Sequence, residues 1–285
     1  MRIFPDERAT GLSPADPVSL DARSAQARGP DAVGVALRAY GEELAALGAA
    51  QTDGAFTDDP AADAFIKSDP AAFLIGVLFT QGIPAERAWA GPYLLAQRLG
   101  YFDLERVAVE HDAVAAAIGA PPALHRFVHT LPGWIVAAAR RIVTEYAGDA
   151  TTIWSAGTPL PIVVERLRAF VGIGPKKAAM AVEILVRHFG AQLTDVECGS
   201  VAYDVHVRRV FLRSGLVDED TPAAVLAAAR RACPQAPGVL DLATWLIGRD
   251  HCHPREPRCD DCRLGAVCER LTGRSVSGVG SRRAT

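Results

Sequence analysis

The sequence predicts an all-α protein. Alanine is abundant and aromatic residues make up only 7% of the chain, a composition that favours helices over sheets. Apolar residues recur at three- and four-residue steps in successive segments, several of which begin at proline, and the first turn of a helix tolerates proline. No stretch alternates convincingly at period two. We therefore expect two helical lobes, since 285 residues suffice for two cores.

The expected helices follow one another along most of the chain. Residues 1–30 contain prolines but no apolar periodicity, which indicates a mobile leader. After the first helix, residues 54–60 break the pattern. The periodicity predicts helices over 31–50, 71–81, 84–99, 132–146, 161–170, 175–189, 201–214, 222–232 and 239–247.

These helices suggest a division of the chain into regions. Residues 31–69 form an N-terminal helical extension, residues 70–271 form the core, and residues 272–285 form a basic flexible tail. Within the core we expect a central lobe over about 100–210 and a second lobe that combines 70–100 with 211–271.

Charge and targeting signals restrict the function only weakly. The net charge is −3, but residues 1–70 carry −6, so the remainder is positive by 3. Because local basic surface decides whether a phosphate backbone is attracted, this charge balance neither supports nor excludes nucleic-acid binding. No apolar run could span a bilayer, and the N-terminal residues do not resemble a signal peptide. We expect a cytoplasmic protein without a membrane partner.

Four cysteines near the C terminus predict a metal centre. Cys252, Cys259, Cys262 and Cys268 fall within 17 residues, in the spacing Cys-x6-Cys-x2-Cys-x5-Cys. Four thiolates suit either a zinc ion or an iron–sulfur cluster. Structural zinc sites usually pair two Cys-x-x-Cys knuckles, and only one is present, so the spacing favours a [4Fe-4S] cluster. Disulfides are the weakest interpretation, because nothing else in the chain is typical of a secreted protein.

A glycine-rich turn in the middle of the chain is the second chemical signal. One predicted helix ends at Phe170, and Gly172-Ile173-Gly174 leads into another helix that Pro175 opens. The N–H groups of this turn and of the new helix's first turn could bind an anion such as a DNA phosphate. The alternative is a glycine-rich turn that only connects two packed helices.

This turn resembles the helix-hairpin-helix motif of the base-excision DNA glycosylases, the helix-hairpin-helix-Gly/Pro-Asp superfamily. From about residue 71 to 271 the chain is similar to the iron–sulfur branch of that superfamily, the endonuclease III group. Residues 200–210 resemble the segment that carries the family's catalytic aspartate, and the cysteine spacing is that of its [4Fe-4S] loop. The resemblance implies a monomeric, nucleoid-associated enzyme that acts on double-stranded DNA containing a damaged or mismatched base.

The resemblance also assigns two catalytic residues. Lys176 corresponds to the lysine that attacks the sugar, forms a Schiff base and allows strand cleavage by β-elimination. Asp204 corresponds to the carboxylate that stabilises positive charge on the sugar as the glycosidic bond breaks. The two lie 28 positions apart, which is longer than usual in the family. The extra length falls in residues 190–199 and makes Asp195 the rival carboxylate.

Further residues match positions that handle the duplex. Gln81 corresponds to the family's glutamine after the first core helix, and Trp134 either is a wedge that enters the duplex or belongs to the core. Lys177 is expected to contact phosphate or to be a solvent-exposed neighbour of the nucleophile. Arg255 and Arg258, between two of the cysteines, are expected to point to phosphate.

The function expected from these features is that of a DNA glycosylase with lyase activity on abasic sites, with oxidised pyrimidines as the favoured substrates. One alternative is a monofunctional glycosylase for uracil or thymine mispairs or for another unusual base, in which Lys176 only binds. The other is a non-catalytic protein that recognises DNA structure. The adenine-removing branch of the superfamily has no lysine at this position, so the lysine favours the bifunctional enzyme.

Overall fold

The computed structural model describes residues 29–50 and 56–273. These ranges contain twelve α-helices and three short 3-10 helices, and their one β-type pairing is an isolated bridge between Pro159 and Thr194. The all-α prediction is confirmed. None of the helices in these ranges is both long and apolar enough to cross a membrane. Most of the expected leader and most of the expected basic tail lie outside the described residues.

The chain divides into two units, of which the first extends to Asp195. Its centre is the third helix, in which every residue from Ala71 to Phe79 is buried. A helix that is apolar on all sides is a core helix. Asp69 caps its start by accepting the N–H groups of the second and third helical residues at 2.8 and 3.0 Å. The helices of this unit are α2 (Pro60–Ser68), α3 (Pro70–Phe79), α4 (Ala85–Leu99), α5 (Leu104–Val107), α6 (His111–Gly119), α7 (Leu131–Glu145), α8 (Leu160–Arg168) and α9 (Pro175–His188).

The second unit combines α1 with the C-terminal part of the chain. Its core joins apolar residues of α1, among them Leu37, to Phe211 and to Leu264. Leu264 lies in the cysteine loop, the segment 252–268 that carries the four C-terminal cysteines. Arg263 of that loop donates to Glu43 of α1 at 2.8 Å. Helix α1, near the start of the chain, therefore supports the cysteine loop near its end. The helices of this unit are α1 (Pro30–Ala50), α10 (Val205–Arg213), α11 (Pro222–Ala232) and α12 (Leu240–Asp250).

The structure differs from the predicted elements in three places. Helix α2 occupies residues that were predicted to follow a break, because Asp59 caps it and Pro60 opens it. The short helices α5 and α6 were not predicted. Helix α10 begins at Val205, not at residue 201, because Asp204 adopts an extended backbone and serves as its cap.

The division of the chain also differs from the expected one. Residues 70–100 lie in the same unit as residues 101–195, whereas they were expected to join the C-terminal segment. The first unit ends at Asp195 rather than near 210, so the segment 196–210 belongs to the second unit. Helix α1, expected to be an extension, supplies part of the second unit's core.

Candidate functional site

The glycine-rich turn is a hairpin between α8 and α9, and its two glycines have different roles. Gly172 has a φ of +92°, a conformation that side chains disfavour. Gly174, the cap of α9, has a φ of −88° and a ψ of −178°, which any residue adopts. A Cβ at Gly174 would meet nothing within 4 Å. Gly174 therefore leaves open space in front of the first turn of α9, where the N–H groups of a helix favour an anion.

Trp134, in the first turn of α7, packs against this hairpin. A Cβ at Gly172 would lie only 2.6 Å from the Trp134 ring, so the absence of a side chain makes the contact possible. The tryptophan is half-buried. The sequence left open whether Trp134 is a wedge or a core residue. The structure places it on the hairpin surface, with part of the ring accessible.

The two lysines at the start of α9 lie in different environments. Lys176 is exposed. Lys177 is partly buried: its Nζ donates to the Leu78 carbonyl at 2.9 Å and lies 5.5 Å from the centre of the Trp134 ring. Burial, and after it the charge of Lys176, lower the pKa of Lys177 to about 8. The Lys177 ammonium is therefore directed to the end of α3, not outward as a phosphate contact would be.

The exposed residue Gln81 follows the end of α3, and this end is held by basic side chains. His125 is buried and its Nε2 donates to the Phe79 carbonyl at 3.1 Å, while its Nδ1 accepts the N–H of Phe127 at 3.0 Å. Burial lowers the pKa of His125, which suits this neutral tautomer. Sequence reasoning did not identify His125, since a single histidine in a loop gives no pattern.

Asp204 caps the N terminus of α10 in the second unit. Its Oδ1 accepts the N–H groups of His206 and Val207 at 2.8 and 2.9 Å. This geometry fixes the carboxylate and places its charge at the positive end of a helix, where it is favoured. Lys176 belongs to the first unit and Asp204 to the second.

The rival carboxylate, Asp195, lies in a segment with a defined conformation. The backbone of residues 190–195 pairs with residues 157–160, including an N–H of Leu160 that donates to the Thr194 carbonyl at 2.8 Å. Asp195 is exposed and has a φ of +54°. Unlike Asp204, it does not cap an α-helix.

The four C-terminal cysteines line a single cavity in the second unit, together with Arg213. Burial, and after it the neighbouring thiolates, raise the pKa of the Cys262 thiol to about 12. No group of three or more His, Cys, Asp or Glu residues in the described ranges is arranged to hold a metal ion directly. The four cysteines thus surround a common space.

The surroundings of the Arg213 side chain indicate whether a charged group would fit this cavity. The side chain is buried, and its guanidinium donates to the carbonyls of His253 and Pro254 at 2.6 and 2.7 Å and approaches Cys252 Sγ at 3.9 Å. Its Nε is buried without a hydrogen-bond partner among the described residues. A buried cation is costly unless an anion compensates it. A negatively charged group bound by the four thiolates would supply that anion, so the residues fit such a group.

The two arginines of the cysteine loop are exposed. Arg258 forms an ion pair with Asp261 at 3.0 Å, and its backbone N–H donates to the His251 carbonyl at 2.8 Å. Arg255 precedes it in the same loop. Both side chains are exposed, and their contact with phosphate stays a prediction.

Comparisons with known proteins identify the fold. No protein-family model and no curated protein sequence matches the chain. A solved thermostable thymine-DNA glycosylase matches with a TM-score of 0.56 and 16% identity, over 83% of this chain and 98% of that one. The 8-oxoguanine DNA glycosylase of Pyrobaculum aerophilum gives a TM-score of 0.44 and 16% identity, over 88% and 92% of the two chains. The likeness to the first structure shows that the chain has the fold of that thymine-DNA glycosylase.

Proposed function

We propose that the protein is a base-excision DNA glycosylase with lyase activity on abasic sites, from the iron–sulfur branch of the helix-hairpin-helix superfamily. The observation that carries this proposal is the exposed Lys176 in the first turn of α9, directly after a hairpin whose Gly174 leaves the anion-binding turn open. The fold supports it, because the likeness to a thymine-DNA glycosylase covers nearly all of that enzyme.

The two catalytic residues would act on the deoxyribose. The neutral Lys176 amine attacks C1′, the bond between C1′ and the base breaks, and the base leaves with the bonding electrons and takes up a proton. The resulting aminal opens to a Schiff base, and loss of a C2′ proton then expels the 3′ phosphate by β-elimination. Positive charge builds on the sugar as the base departs, and the Asp204 carboxylate stabilises it.

Other residues would hold and open the duplex. The α9 hairpin at Gly174 would bind a backbone phosphate, and Arg255 and Arg258 would bind phosphates at the cysteine loop. Gln81 and Trp134 would fill the space that the target nucleotide leaves when it turns out of the stack.

Replacement of Gly174 with valine tests the phosphate clamp. Since a Cβ at Gly174 meets no protein atom and the backbone there suits any residue, the variant should fold normally. The valine side chain would occupy the anion's place, so affinity should fall alike for damaged and undamaged duplexes in fluorescence-anisotropy titrations. If only the preference for the lesion were lost, the hairpin would not be a general phosphate clamp.

We also propose that Cys252, Cys259, Cys262 and Cys268 hold a [4Fe-4S] cluster. Four thiolates can ligate either a zinc ion or a [4Fe-4S] cluster, and the spacing, with its single Cys-x-x-Cys knuckle, favours the cluster. The cluster would anchor the loop that carries the two exposed arginines, and no chemical step requires it.

The cluster can be tested by colour and metal content. The purified protein should be brown, and Cys259→Ser should bleach it and weaken DNA binding, because the loop loses one of its anchors. Iron analysis and visible absorbance of anaerobically prepared protein measure this. Stoichiometric zinc without iron would contradict the cluster.

Two classes of base are candidates for removal by this protein. Oxidised pyrimidines are favoured by the family resemblance. Thymine or uracil opposite guanine is the second candidate, because the structural likeness with a TM-score of 0.56 is to a thymine-DNA glycosylase. Borohydride trapping on duplexes with each lesion distinguishes a glycosylase with lyase activity from a monofunctional glycosylase, since only a Schiff base is reduced to a covalent adduct. A protein that binds abasic duplex but releases no base would instead be a non-catalytic DNA-structure-binding protein.

A further inference from the structure

Lys177 has contacts that phosphate binding does not explain. Its Nζ donates to the Leu78 carbonyl and lies over the Trp134 ring, and no carboxylate in the described ranges pairs with it. Burial disfavours its charged form, as its lowered pKa indicates. A lysine kept in such a place reduces stability at neutral pH, which is typical of groups retained for function.

The Leu78 carbonyl belongs to the last turn of α3, two residues before the segment that leads to Gln81. The last four carbonyls of a helix lack partners within it, and cations are favoured there. Lys177 binds one of these carbonyls from α9, while His125 binds the next, that of Phe79, from the loop before α7. The exit of the chain from α3 is thereby fixed to two other elements of the same unit.

The second contact of Lys177 is with the residue that packs on the hairpin. Trp134 lies against Gly172 on one side and has the Lys177 ammonium 5.5 Å from its ring centre. A cation near an aromatic face is attracted to it, more strongly when water is excluded. One side chain on α9 therefore contacts both the segment before Gln81 and Trp134.

We propose that Lys177 is a positioning residue that fixes Gln81 and Trp134 relative to the phosphate-binding hairpin, so that capture of a phosphate places both side chains to open the duplex. This inference rests on the proposed function of the hairpin and of these two residues. Lys177 itself touches neither the sugar nor the base in this role.

The positioning depends on the charge of Lys177. A neutral amine keeps one hydrogen bond to Leu78 but loses the attraction to the helix end and to the ring. The ionisable groups around it are Lys176 on α9 and His125 from the loop, since α3 and the first turn of α7 contain none. Opening of the duplex should therefore decline as the pH rises through about 8.

The first test uses the protein without DNA. The chain has only three lysines, Lys67, Lys176 and Lys177, so the ε-carbon resonances of 13C-lysine-labelled protein can be assigned by substitution. We expect the Lys177 resonance to titrate near pH 8, and the indole N–H resonance of Trp134 to shift with the same midpoint. A Trp134 signal that does not respond to Lys177 would overturn the proposal, and this result is independent of any activity.

The second test measures opening of the duplex with 2-aminopurine next to the lesion. Lys177→Met should lower the equilibrium constant for opening, obtained from the fluorescence change, about ten- to a hundredfold, which is the effect of one charge-assisted hydrogen bond. The affinity for undamaged duplex should change little. Lys177→Arg should retain opening and lose the decline above pH 8, and it serves as the second variant if the methionine variant folds poorly. Lys67→Met is the matched control, because it removes the one lysine outside the hairpin.

Four outcomes decide between the explanations. Equal loss of undamaged-duplex binding and of opening in Lys177→Met would make Lys177 a phosphate contact and overturn the proposal. Unchanged opening in that variant, or a decline with pH that persists in Lys177→Arg, would also overturn it. If the wild-type protein opens no duplex at all, the proposed function fails, while the resonance titration still tests the contacts of Lys177.

Discussion

Replacement of Asp204 with asparagine is expected to slow base release by about 10²- to 10³-fold or more, the usual effect of removing one electrostatic contact to a charge that develops in the transition state. Asparagine has the same shape and is an equally good helix cap. The two N–H contacts to Oδ1 can therefore be kept, and α10 should remain intact. The variant removes the negative charge and little else. Single-turnover base release from a lesion duplex measures the effect.

Two comparisons make this result specific. Cleavage at a preformed abasic site should suffer less in Asp204→Asn, because the open aldehyde can still react with Lys176. Asp195→Asn is the matched control, since it makes the same change at the exposed rival carboxylate. Loss of base release in the Asp195 variant but not in the Asp204 variant would show that residues 190–195 carry the catalytic carboxylate.

Replacement of Lys176 with glutamine is expected to abolish Schiff-base trapping while binding to the lesion duplex survives. Glutamine keeps much of the length and the polarity of lysine but has no nucleophilic amine. Because Lys176 is exposed, the change should cost little stability. Borohydride trapping with a gel readout measures the adduct, and a binding titration checks the affinity.

The neighbouring lysine supplies the control for this experiment. Lys177→Arg also removes a primary amine from α9, but it keeps the positive charge beside Leu78 and Trp134. We expect the covalent adduct to persist in this variant. An adduct that survives in Lys176→Gln and disappears in Lys177→Arg would identify the partly buried amine as the nucleophile.

The sequence allowed the fold class and most helices to be predicted because their signals are local. Apolar periodicity and opening prolines located α9 and α11 within one or two residues. Helix α2 was missed because its start signal, the Asp59 cap followed by Pro60, was read as part of a break. The extended backbone at Asp204 was missed because the apolar residues 201–203 continue the pattern of α10 toward the N terminus.

The site was less predictable where its properties depend on tertiary contacts. The motif identified Lys176 and Lys177 as neighbours, but sequence alone could not show that one is exposed and the other turns toward α3, 99 positions earlier in the chain. The roles of the two hairpin glycines also depend on surroundings, since the contact of Gly172 with Trp134 is not local. Likewise, no spacing rule places the buried Arg213 beside the cysteines.

Base release from a panel of duplexes, each with a single lesion or mismatch, tests the proposed glycosylase activity most directly. The panel should include oxidised pyrimidines and uracil or thymine opposite guanine, with Asp204→Asn as the control for contaminating enzymes. We expect the wild-type protein to release the base from at least one of these duplexes and the variant to release it far more slowly. Binding of abasic duplex without release of any base, or equal release by the wild-type protein and the variant, would contradict the proposed function.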